Sequence, residues 1–356
     1  MKIYIRAASC ISPQQTFQGE LFFSDPKEYI ANLLKVIEPD YKNIFDTKQM
    51  RRMSRIVRFS LAAAMSCLKE AGKENVDAII IGTAYGCMED SEAFLRTITE
   101  QDEQMLSPTS FIQSTHNTVG AQIALLLKCH NYNNTFVHRG FSFEHALMDA
   151  MLLLKENRAK NVLAGSTDEM TEFTFSILKR FGLYKQSPLS TFSLYSSETK
   201  GSICGEGAAF FLLSDEFSDD VYAQLDAVEI FYKPASLTEI KKRLEQFFDL
   251  HEIAAKDIDL VIAGKNGDAR NDILFTEVES DIFKDNVVIN YKHLCGEYPT
   301  STSLAMWLAS NIIRRNKLPK CFEDEKTTKK NFKKILICNN YQGKYHALLL
   351  LSSHQK

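Results

Sequence analysis

The chain has 356 residues, of which 45% are hydrophobic and 24% charged, and this composition is typical of a folded globular protein large enough for two packed domains. It therefore excludes a disordered chain. The formal net charge is only −3 at pH 7, which gives no reason to expect nucleic acid or an anionic membrane as a partner.

The first residues, MKIYIRAASCISP, predict a β-strand and a turn, without the charged head, apolar run and cleavage site of a signal peptide. Nowhere does the sequence approach the roughly 18 consecutive apolar residues that a membrane-spanning helix needs. We therefore expect a cytoplasmic protein that does not enter a membrane. The eight cysteines form no CxxC pair, so we expect reduced thiols, with neither disulfides nor a metal site.

Helical and strand-like patterns alternate along the rest of the chain. Apolar residues at helical spacing predict helices over residues 51–71, 119–128, 144–156, 237–250 and 302–315. Short apolar and β-branched runs predict strands over residues 78–82, 135–138, 161–165, 208–213, 227–232, 260–263, 334–338 and 345–351. This alternation predicts a layered α/β fold.

Three polar segments are predicted to lie between these elements. The turn-prone EFSDD, residues 216–220, is expected to join a first half, residues 1–216, to a second half, residues 217–356. The segment GKNGDARND, residues 264–272, is expected to be a loop after the strand at 260–263. The basic run KTTKKNFKK, residues 326–334, predicts a solvated loop.

The segment TFVHRGFSFEHAL, residues 135–147, predicts a strand that turns directly into a helix. A side chain at the turn, at Gly140, would face the amino end of the helix, where unpaired N–H groups and the helix dipole favour negative charge and lower the pKa of a thiol. Glycine has no side chain to supply a thiol at this position. On its own, Gly140 predicts a tight turn with an unusual backbone angle.

Five segments resemble, in their order along the chain, those of the β-ketoacyl synthase branch of the thiolase-like family. They are RRMSRIVRFSLAAAMSCLKEAG (51–72), IGTAYGCMEDSEAFL (81–95), LSPTSFIQSTHNTVGAQIAL (106–125), AGSTDEM (164–170) and GSICGEGAAFFLL (201–213). The resemblance extends over nearly the whole chain. It implies a thiolase-like fold of two related βαβαβ halves that form a layered αβαβα sandwich.

The resemblance also implies where the Cys-His-His set of this family would lie. Gly140 stands at the position of the cysteine, and His145 matches a residue that is common five places after that cysteine. Gly264 stands at the position of the first histidine, although the loop there allows a shift of one or two residues. In the Lys-x-x-x-Gly-His pattern of the family, Lys292 is followed by Glu297 in place of the second histidine.

Further positions are assigned by the same resemblance. It implies a supporting polar network that contains Lys292, Asp272 and Glu277. It implies an acyl pocket or dimer interface that contains Phe111, Ile112, Gln113, Tyr341 and Gln342. By position only, it implies docking of an acyl carrier protein at Arg51, Arg52 and Arg55, a set that is equally typical of a solvated helix face.

Two residues near the altered positions are alternative nucleophiles. Ser142 lies two residues after Gly140, where His138 or His145 would activate it, and Cys295 lies two residues before Glu297. Each also has a structural interpretation, because a serine in the first turn of a helix satisfies backbone donors and a thiol in an apolar segment is usually buried. The sequence leaves both interpretations open.

The absence of the Cys-His-His set determines which function we expect. Decarboxylative condensation needs a thiolate to carry the acyl group and imidazoles to stabilise the enolate. Without them, the resemblance implies a subunit similar to chain-length factors, which pair with an active ketoacyl synthase in polyketide, aryl polyene or fatty-acid-like biosynthesis. We expect a homo- or heterodimer with such a synthase, an acyl carrier protein as partner, and no cofactor. The alternatives are a divergent acyltransferase or condensing enzyme that uses a relocated nucleophile, and a homodimeric acyl-binding protein.

Overall fold

The structure is a computed structural model that describes residues 1–18, 25–46, 50, 53–104, 106–323 and 331–354. The strands are β1 (Tyr4–Ile11), β2 (Ile30–Ala31), β3 (Ala78–Gly82), β4 (Tyr132–Phe136), β5 (Asn161–Asp168), β6 (Leu189–Ser190), β7 (Gly207–Ser214), β8 (Ala223–Tyr232), β9 (Leu260–Ala263), β10 (Val287–Asn290), β11 (Lys334–Tyr341) and β12 (Tyr345–Ser352). The α-helices are α1 (Arg55–Glu70), α2 (Met88–Glu100), α3 (Pro108–Gln113), α4 (Thr118–Leu127), α5 (Ser142–Lys155), α6 (Glu172–Arg180), α7 (Leu237–Leu250), α8 (Ala269–Asp281), α9 (Lys292–Cys295) and α10 (Thr302–Arg315). None of these helices is long and apolar enough to cross a membrane.

Ten of these strands form one mixed sheet in the order β10-β9-β11-β12-β8-β1-β7-β5-β3-β4. In the first half, β1 and β7 are antiparallel, β7 and β5 are antiparallel, and β5, β3 and β4 run parallel. The second half repeats this pattern from β8 through β12, β11 and β9 to β10. A short antiparallel pairing of β1 with β8 joins them. The fold therefore contains two related halves, while their boundary at 216/217 remains a prediction.

Helices divide the core into layers. Helices α5 and α10 share one apolar core with strands of both halves. On the outer faces, α1 and α4 pack on strands of the first half, and α7 and α8 pack on strands of the second. The order of layers is αβαβα. Every residue of α10 from 302 to 313 is buried, because this helix has protein on all sides.

Strand β11 shows how the sequence produces these layers. Ile335 and Ile337 point into the central core, while Leu336 and Cys338 point into the outer core beneath α7 and α8. Successive side chains of a strand point to opposite faces of the sheet. Because both faces are covered by helices, residues 335–338 of the strand are all apolar rather than alternating with polar residues.

The structure confirms the main predicted elements and corrects their details. Helices α7 and α10 and strand β9 have the predicted bounds, and α1 begins at Arg55. The prediction of a loop throughout residues 264–272 is wrong, because α8 begins at Ala269. Asp268 caps this helix by accepting the backbone N–H of Arg270. Most of the predicted basic loop, residues 326–330, lies outside the described residues, as do Arg51 and Arg52.

Glu144 is a buried carboxyl group in the first turn of α5. Its side chain is fully buried, and neither carboxyl oxygen has a hydrogen-bond partner among the described residues. Burial raises the pKa of Glu144 to about 7, and the neighbouring Thr302 hydroxyl and Lys292 ammonium only partly oppose this. The carboxyl therefore holds its proton to a higher pH than an exposed glutamate does.

We expect Glu144→Gln to remove a loss of stability that the native protein suffers as the pH rises from about 4.5 to about 7. The folded-state pKa lies above the unfolded value, so the contribution of this group is fully present below about pH 4.5 and is lost as pH rises through about 7. At about 1.4 kcal/mol per pKa unit, the loss is on the order of 2–3 kcal/mol by about pH 8.

Urea unfolding at about pH 5 and about pH 8 measures this difference. The glutamine variant should match the native chain at the lower pH and exceed its free energy of unfolding at the higher pH. Glu277→Gln, at an exposed carboxyl on α8, is the matched control and should leave the pH profile unchanged. Parallel profiles for the native chain and Glu144→Gln would contradict the prediction.

Candidate functional site

Gly140 lies in a short 3₁₀ turn, Arg139–Phe141, between β4 and α5. The residue with the left-handed backbone is Arg139, at φ 49°, and Gly140 itself has no positive φ. The hydroxyl of Ser142 fixes the turn, because it accepts the N–H of His138 at 2.8 Å and donates to the carbonyl of Arg139 at 2.9 Å. The prediction of an unusual backbone angle at Gly140 is therefore wrong.

Side-chain packing explains the glycine instead. A Cβ added to Gly140 would lie 2.8 Å from Cβ of Tyr345 and 2.9 Å from Cβ of Tyr341. These distances are shorter than normal carbon–carbon contacts, which are about 3.5–4.0 Å. A side chain at this position requires the tyrosines of the β11–β12 hairpin to move.

Tyr341 is held in this position by two polar contacts. Its hydroxyl lies 3.1 Å from the hydroxyl of Tyr85, and the Nε2 group of Gln342 donates to it at 3.0 Å. Burial raises the pKa of Tyr341 well above its ordinary value, so the phenol stays neutral. Tyr85 follows strand β3, and sequence analysis did not single it out because its partner is 256 residues away.

Gly264, directly after β9, is also enclosed. Its N–H donates to the carbonyl of Cys338 at 2.8 Å. An added Cβ would lie 2.8 Å from Cα of Asn339 and 2.9 Å from the backbone nitrogen of Asn340. These are backbone atoms of β11, so a side chain at position 264 would require the strand itself to shift.

Glu297 belongs to a buried ion pair. Its carboxylate lies 2.8 and 3.0 Å from Nζ of Lys292, and both side chains are buried. Asn266 donates to the same carboxylate at 2.6 Å. Burial raises the pKa of Glu297, while the charge and hydrogen bonds of Lys292 and Asn266 oppose the shift. The ammonium also donates to the carbonyl of Asn340 at 2.6 Å.

The end of β11 brings the three positions together. Asn339 and Asn340 enclose Gly264, the carbonyl of Asn340 receives the ammonium that pairs with Glu297, and Tyr341 covers Gly140. The two glycines and the glutamate, distant in sequence, are thus neighbours of one three-residue stretch.

The predicted supporting residues divide into two groups. Asp272 accepts the N–H groups of Asn266 at 2.9 Å and Gly267 at 2.7 Å, and so holds the loop that carries Asn266 toward Glu297. Glu277, by contrast, is exposed on α8, and the described contacts do not join its side chain to this cluster. Five residues along a helix correspond to a rotation of about 140° beyond a full turn, so position 277 faces away from the side that carries Asp272.

Neither alternative nucleophile is arranged for catalysis. The hydroxyl of Ser142 is bonded to backbone groups, and the imidazoles of His138 and His145 instead contact each other, with 3.3 Å between their Nδ1 atoms. Cys295 is fully buried in the central core, where its Sγ contacts the carbonyl of Gly296 at 3.1 Å. Burial raises the pKa of the Cys295 thiol well above its ordinary value.

The remaining predicted residues lie elsewhere. Phe111 and Ile112, on α3, are 57% and 63% exposed, and the ring of Phe111 is 5.6 Å from that of Phe94 on α2. Gln113 ends the same helix. Arg55 is engaged in the fold, because its guanidinium lies 2.5 Å from Oε1 and 3.0 Å from Oε2 of the buried Glu206.

A cavity of about 200 Å³ adjoins this cluster. It is lined by Leu183, Tyr184, Ser202, Asn266, Asp268, Arg270, Asn271, Glu297, Tyr341, Gln342 and Lys344. The residues described contain no group of three potential metal ligands. The described wall of the cavity offers two buried carboxylates, Asp268 and Glu297, each in an ion pair, and several amides, without a cysteine or an imidazole.

Comparisons with known proteins agree with this fold. Residues 38–191 match the family described as "Beta-ketoacyl synthase, N-terminal domain". No curated protein sequence matches the chain. Among solved structures, it is similar to the ishigamide ketosynthase/chain length factor, with a TM-score of 0.79, 16% identity and 99% of each chain covered.

Two further solved structures are similar over nearly the full length. One is a β-ketoacyl synthase from Burkholderia phymatum, with a TM-score of 0.81, 14% identity, and 99% of this chain and 100% of that chain covered. The other is the ketosynthase ApeO in complex with its chain length factor ApeC from Xenorhabdus doucetiae, with a TM-score of 0.75, 15% identity, and 99% and 98% covered. Residues 38–191 thus match the N-terminal domain of β-ketoacyl synthases, and the whole chain shares the thiolase-like fold of these structures.

Proposed function

We propose that this chain is a non-catalytic subunit, similar to a chain-length factor, that pairs with an active ketoacyl synthase. The pair would extend acyl chains carried by an acyl carrier protein, in polyketide, aryl polyene or fatty-acid-like biosynthesis in the cytoplasm. The observation that carries the proposal is the strand-to-helix turn itself. It has glycine at position 140, where two tyrosine side chains leave no space for a nucleophile.

The chemistry of position 297 supports the same conclusion. Condensation needs neutral hydrogen-bond donors for the enolate that forms when malonyl loses carbon dioxide. Glu297 pairs with Lys292 and accepts hydrogen bonds rather than donating them. Loss of a single oxyanion donor typically costs about 2.7–4 kcal/mol of transition-state stabilisation, and here the thiolate is absent as well.

An open sheet edge supports pairing with another chain. Strand β4 is the last strand of the first half, and among the described residues it pairs only with β3. Helices α4 and α5 both contact β4. The exposed apolar side chains of these three elements and of the residue after β4 are Leu125, Tyr132, Val137, Met148 and Leu152. An unpaired strand edge flanked by exposed apolar residues is typical of an interface between chains.

The names of the similar structures support the kind of partner. Two of them are a ketosynthase/chain length factor and a ketosynthase in complex with its chain length factor. A third similar structure, 14% identical to this chain, is an acyl-carrier protein in complex with its ketosynthase. We extend these associations to the present chain as part of the proposal. The alternative of a relocated nucleophile has less support, since Ser142 and Cys295 direct their polar hydrogens at backbone carbonyls.

Co-expression with an intact, cysteine-containing synthase tests the pairing. We expect a one-to-one complex, measured by size-exclusion chromatography with light scattering. Met148→Asp should lower the affinity at least about tenfold, because 1.4 kcal/mol already corresponds to a factor of ten and burying an unpaired carboxylate costs more than this. Leu250→Asp, at a residue that is 71% exposed at the end of α7, is the matched control and should pair normally.

An acyl-loading assay on the same preparations tests whether this chain lacks acyl-transfer activity. With acyl carrier thioester as donor, intact-mass measurement should find the acyl group on the synthase and none on this chain. Acylation of the isolated chain at a defined residue would disprove the non-catalytic role. A stable homodimer that does not bind the synthase would instead favour the homodimeric acyl-binding protein.

We also expect Glu297 to act structurally through Lys292. Glu297→Met leaves the buried ammonium without its counter-charge, and breaking a buried ion pair typically costs about 3–5 kcal/mol. The double variant Lys292→Met/Glu297→Met removes both charges and should recover most of this loss, since apolar replacements of buried pairs are often neutral.

Urea unfolding of the native chain, Lys292→Met, Glu297→Met and the double variant completes a double-mutant cycle. The ion pair of Lys241 with Asp281, whose carboxylate side chain is 61% exposed, is the matched control. The same cycle there should give a much smaller coupling than the buried pair, because water screens an exposed pair. Additive losses at positions 292 and 297 would show that Glu297 has a role other than holding Lys292.

A further inference from the structure

Two histidines beside the strand-to-helix turn form a pair that the proposed function does not use. His138 directly precedes the turn Arg139–Phe141, and His145 is the fourth residue of α5. Their Nδ1 atoms are 3.3 Å apart, whereas the centres of their rings are 4.9 Å apart. The two rings therefore approach each other through their Nδ1 atoms.

We propose that His138 and His145 form a binding site for one divalent transition-metal ion, held by the Nδ1 atoms of both imidazoles. The ion belongs to the class of Zn²⁺, Ni²⁺ and Cu²⁺, because imidazole nitrogen suits these ions, whereas Mg²⁺ and Ca²⁺ prefer oxygen ligands. The inference does not depend on the proposed pairing with a synthase.

The separation of the two nitrogens fits this assignment. Imidazole nitrogens bind Zn²⁺ at about 2.0–2.1 Å, so two of them in tetrahedral positions lie roughly 3.3–3.4 Å apart. The observed separation of the Nδ1 atoms is 3.3 Å. The two nitrogens therefore need little movement to share one ion.

Binding of the ion takes the place of a hydrogen bond. Between two neutral imidazoles, one Nδ1 carries a hydrogen and the other Nδ1 accepts it. A metal ligand must present a free lone pair, so the donating ring gives up its Nδ1 hydrogen to water and takes one up at Nε2. Each neutral ring then offers Nδ1 to the ion and keeps one hydrogen on Nε2. The exchange releases no net proton.

The fold holds both rings in this arrangement. The N–H of His138 donates to Oγ of Ser142 at 2.8 Å, and its carbonyl accepts the N–H of Phe141 at 3.0 Å. The ring of Phe141 lies 5.7 Å from that of His138 and 6.1 Å from that of His145. The ring of Phe136 lies 5.9 Å from that of His145. Ligands that are already positioned lose less conformational entropy when they bind.

Two protein ligands leave the other coordination positions of the ion open. Within the described part of the chain, no group of three histidine, cysteine or carboxylate side chains could hold a metal. Water or a group from another molecule therefore completes the coordination. Val137 precedes His138, and Met148 follows His145 by less than one helical turn. Both are exposed residues of the proposed pairing surface, so the ion would lie at that surface.

Titration calorimetry of the isolated, untagged chain with Ni²⁺ and with Zn²⁺ tests the site. Every protein carries Cys321→Ser, because an exposed thiol also binds such ions. The native histidine pair is compared with His138→Ala, His145→Ala and the double variant. His116→Ala, at an exposed histidine outside the turn, is the matched control variant, and Mg²⁺ is the control ion.

We expect one Ni²⁺ per chain, bound equally well by the native pair and by His116→Ala, and no binding of Mg²⁺. Each single variant of the pair should bind Ni²⁺ at least about tenfold more weakly, since the second imidazole acts at the high effective concentration that the fold imposes. The double variant should lose little more than either single variant, because two ligands of one ion are coupled. Unchanged affinity in His138→Ala, or no binding by the native pair, would overturn the proposal.

Thermal unfolding separates loss of the site from loss of the fold. His138 is exposed, so His138→Ala should unfold at the native temperature when no metal is present. Ni²⁺ stabilises the state that binds it, and it should therefore raise the unfolding temperature of the native pair but not that of His138→Ala. An equal rise in both would place the ion elsewhere and overturn the site. The measurement needs no partner subunit, so this failure is distinguishable from a failure to pair with a synthase.

Discussion

The close packing of the end of β11 is the constraint on which the site depends. The backbone of Asn339 and Asn340 lies against Gly264, and the side chain of Tyr341 lies against Gly140. At both positions even a single carbon atom would be too close to its neighbours. Glycine is thus required at both positions by the surrounding structure.

Buried charge is the second feature that shapes this region. One ammonium, Lys292, stands near two buried carboxyl groups, Glu297 and Glu144. Direct contact with Glu297 offsets part of the desolvation of both partners. The more remote Glu144 has no hydrogen-bond partner among the described residues, and burial raises its pKa to about 7. A cluster of this kind stabilises one arrangement of the core. The carboxylate of Glu297, which lines the adjoining cavity, is already paired with Lys292.

The duplicated topology explains why residues so far apart in sequence meet. In each half, the parallel strands end at the same edge of the sheet, and the loops that follow them carry the polar residues. Asp168, at the end of β5, accepts hydrogen bonds from the N–H of Ala84 and from the hydroxyl of Thr300 at 2.8 Å each. It thereby joins a loop of the first half to a loop of the second. The hairpin tip of the second half can then cover the turn of the first.

The sequence by itself determined the fold class and the position of most elements. Strands covered on both faces are continuous apolar runs, and the helix at 302–315 is recognisable by its apolar periodicity, so local patterns are sufficient for these elements. The family resemblance also pointed to positions 140, 264 and 297. However, the sequence analysis did not predict α8, because the cap of this helix, Asp268, stands in a segment rich in glycine and asparagine that favours a loop.

Only the tertiary structure decided which residues contact these positions and which side chains are buried. The contact of Tyr85 with Tyr341 joins residues 256 apart, and no local pattern encodes such a contact. Glu277 was expected in the polar network but faces solvent, because the start of α8 sets the direction of every later residue on that helix. Gly140 was predicted to allow an unusual backbone angle. Instead, the side chains of Tyr341 and Tyr345 leave too little space for a Cβ atom at this position. Burial and steric exclusion are properties of assembled elements, and a sequence specifies them only once those elements pack together.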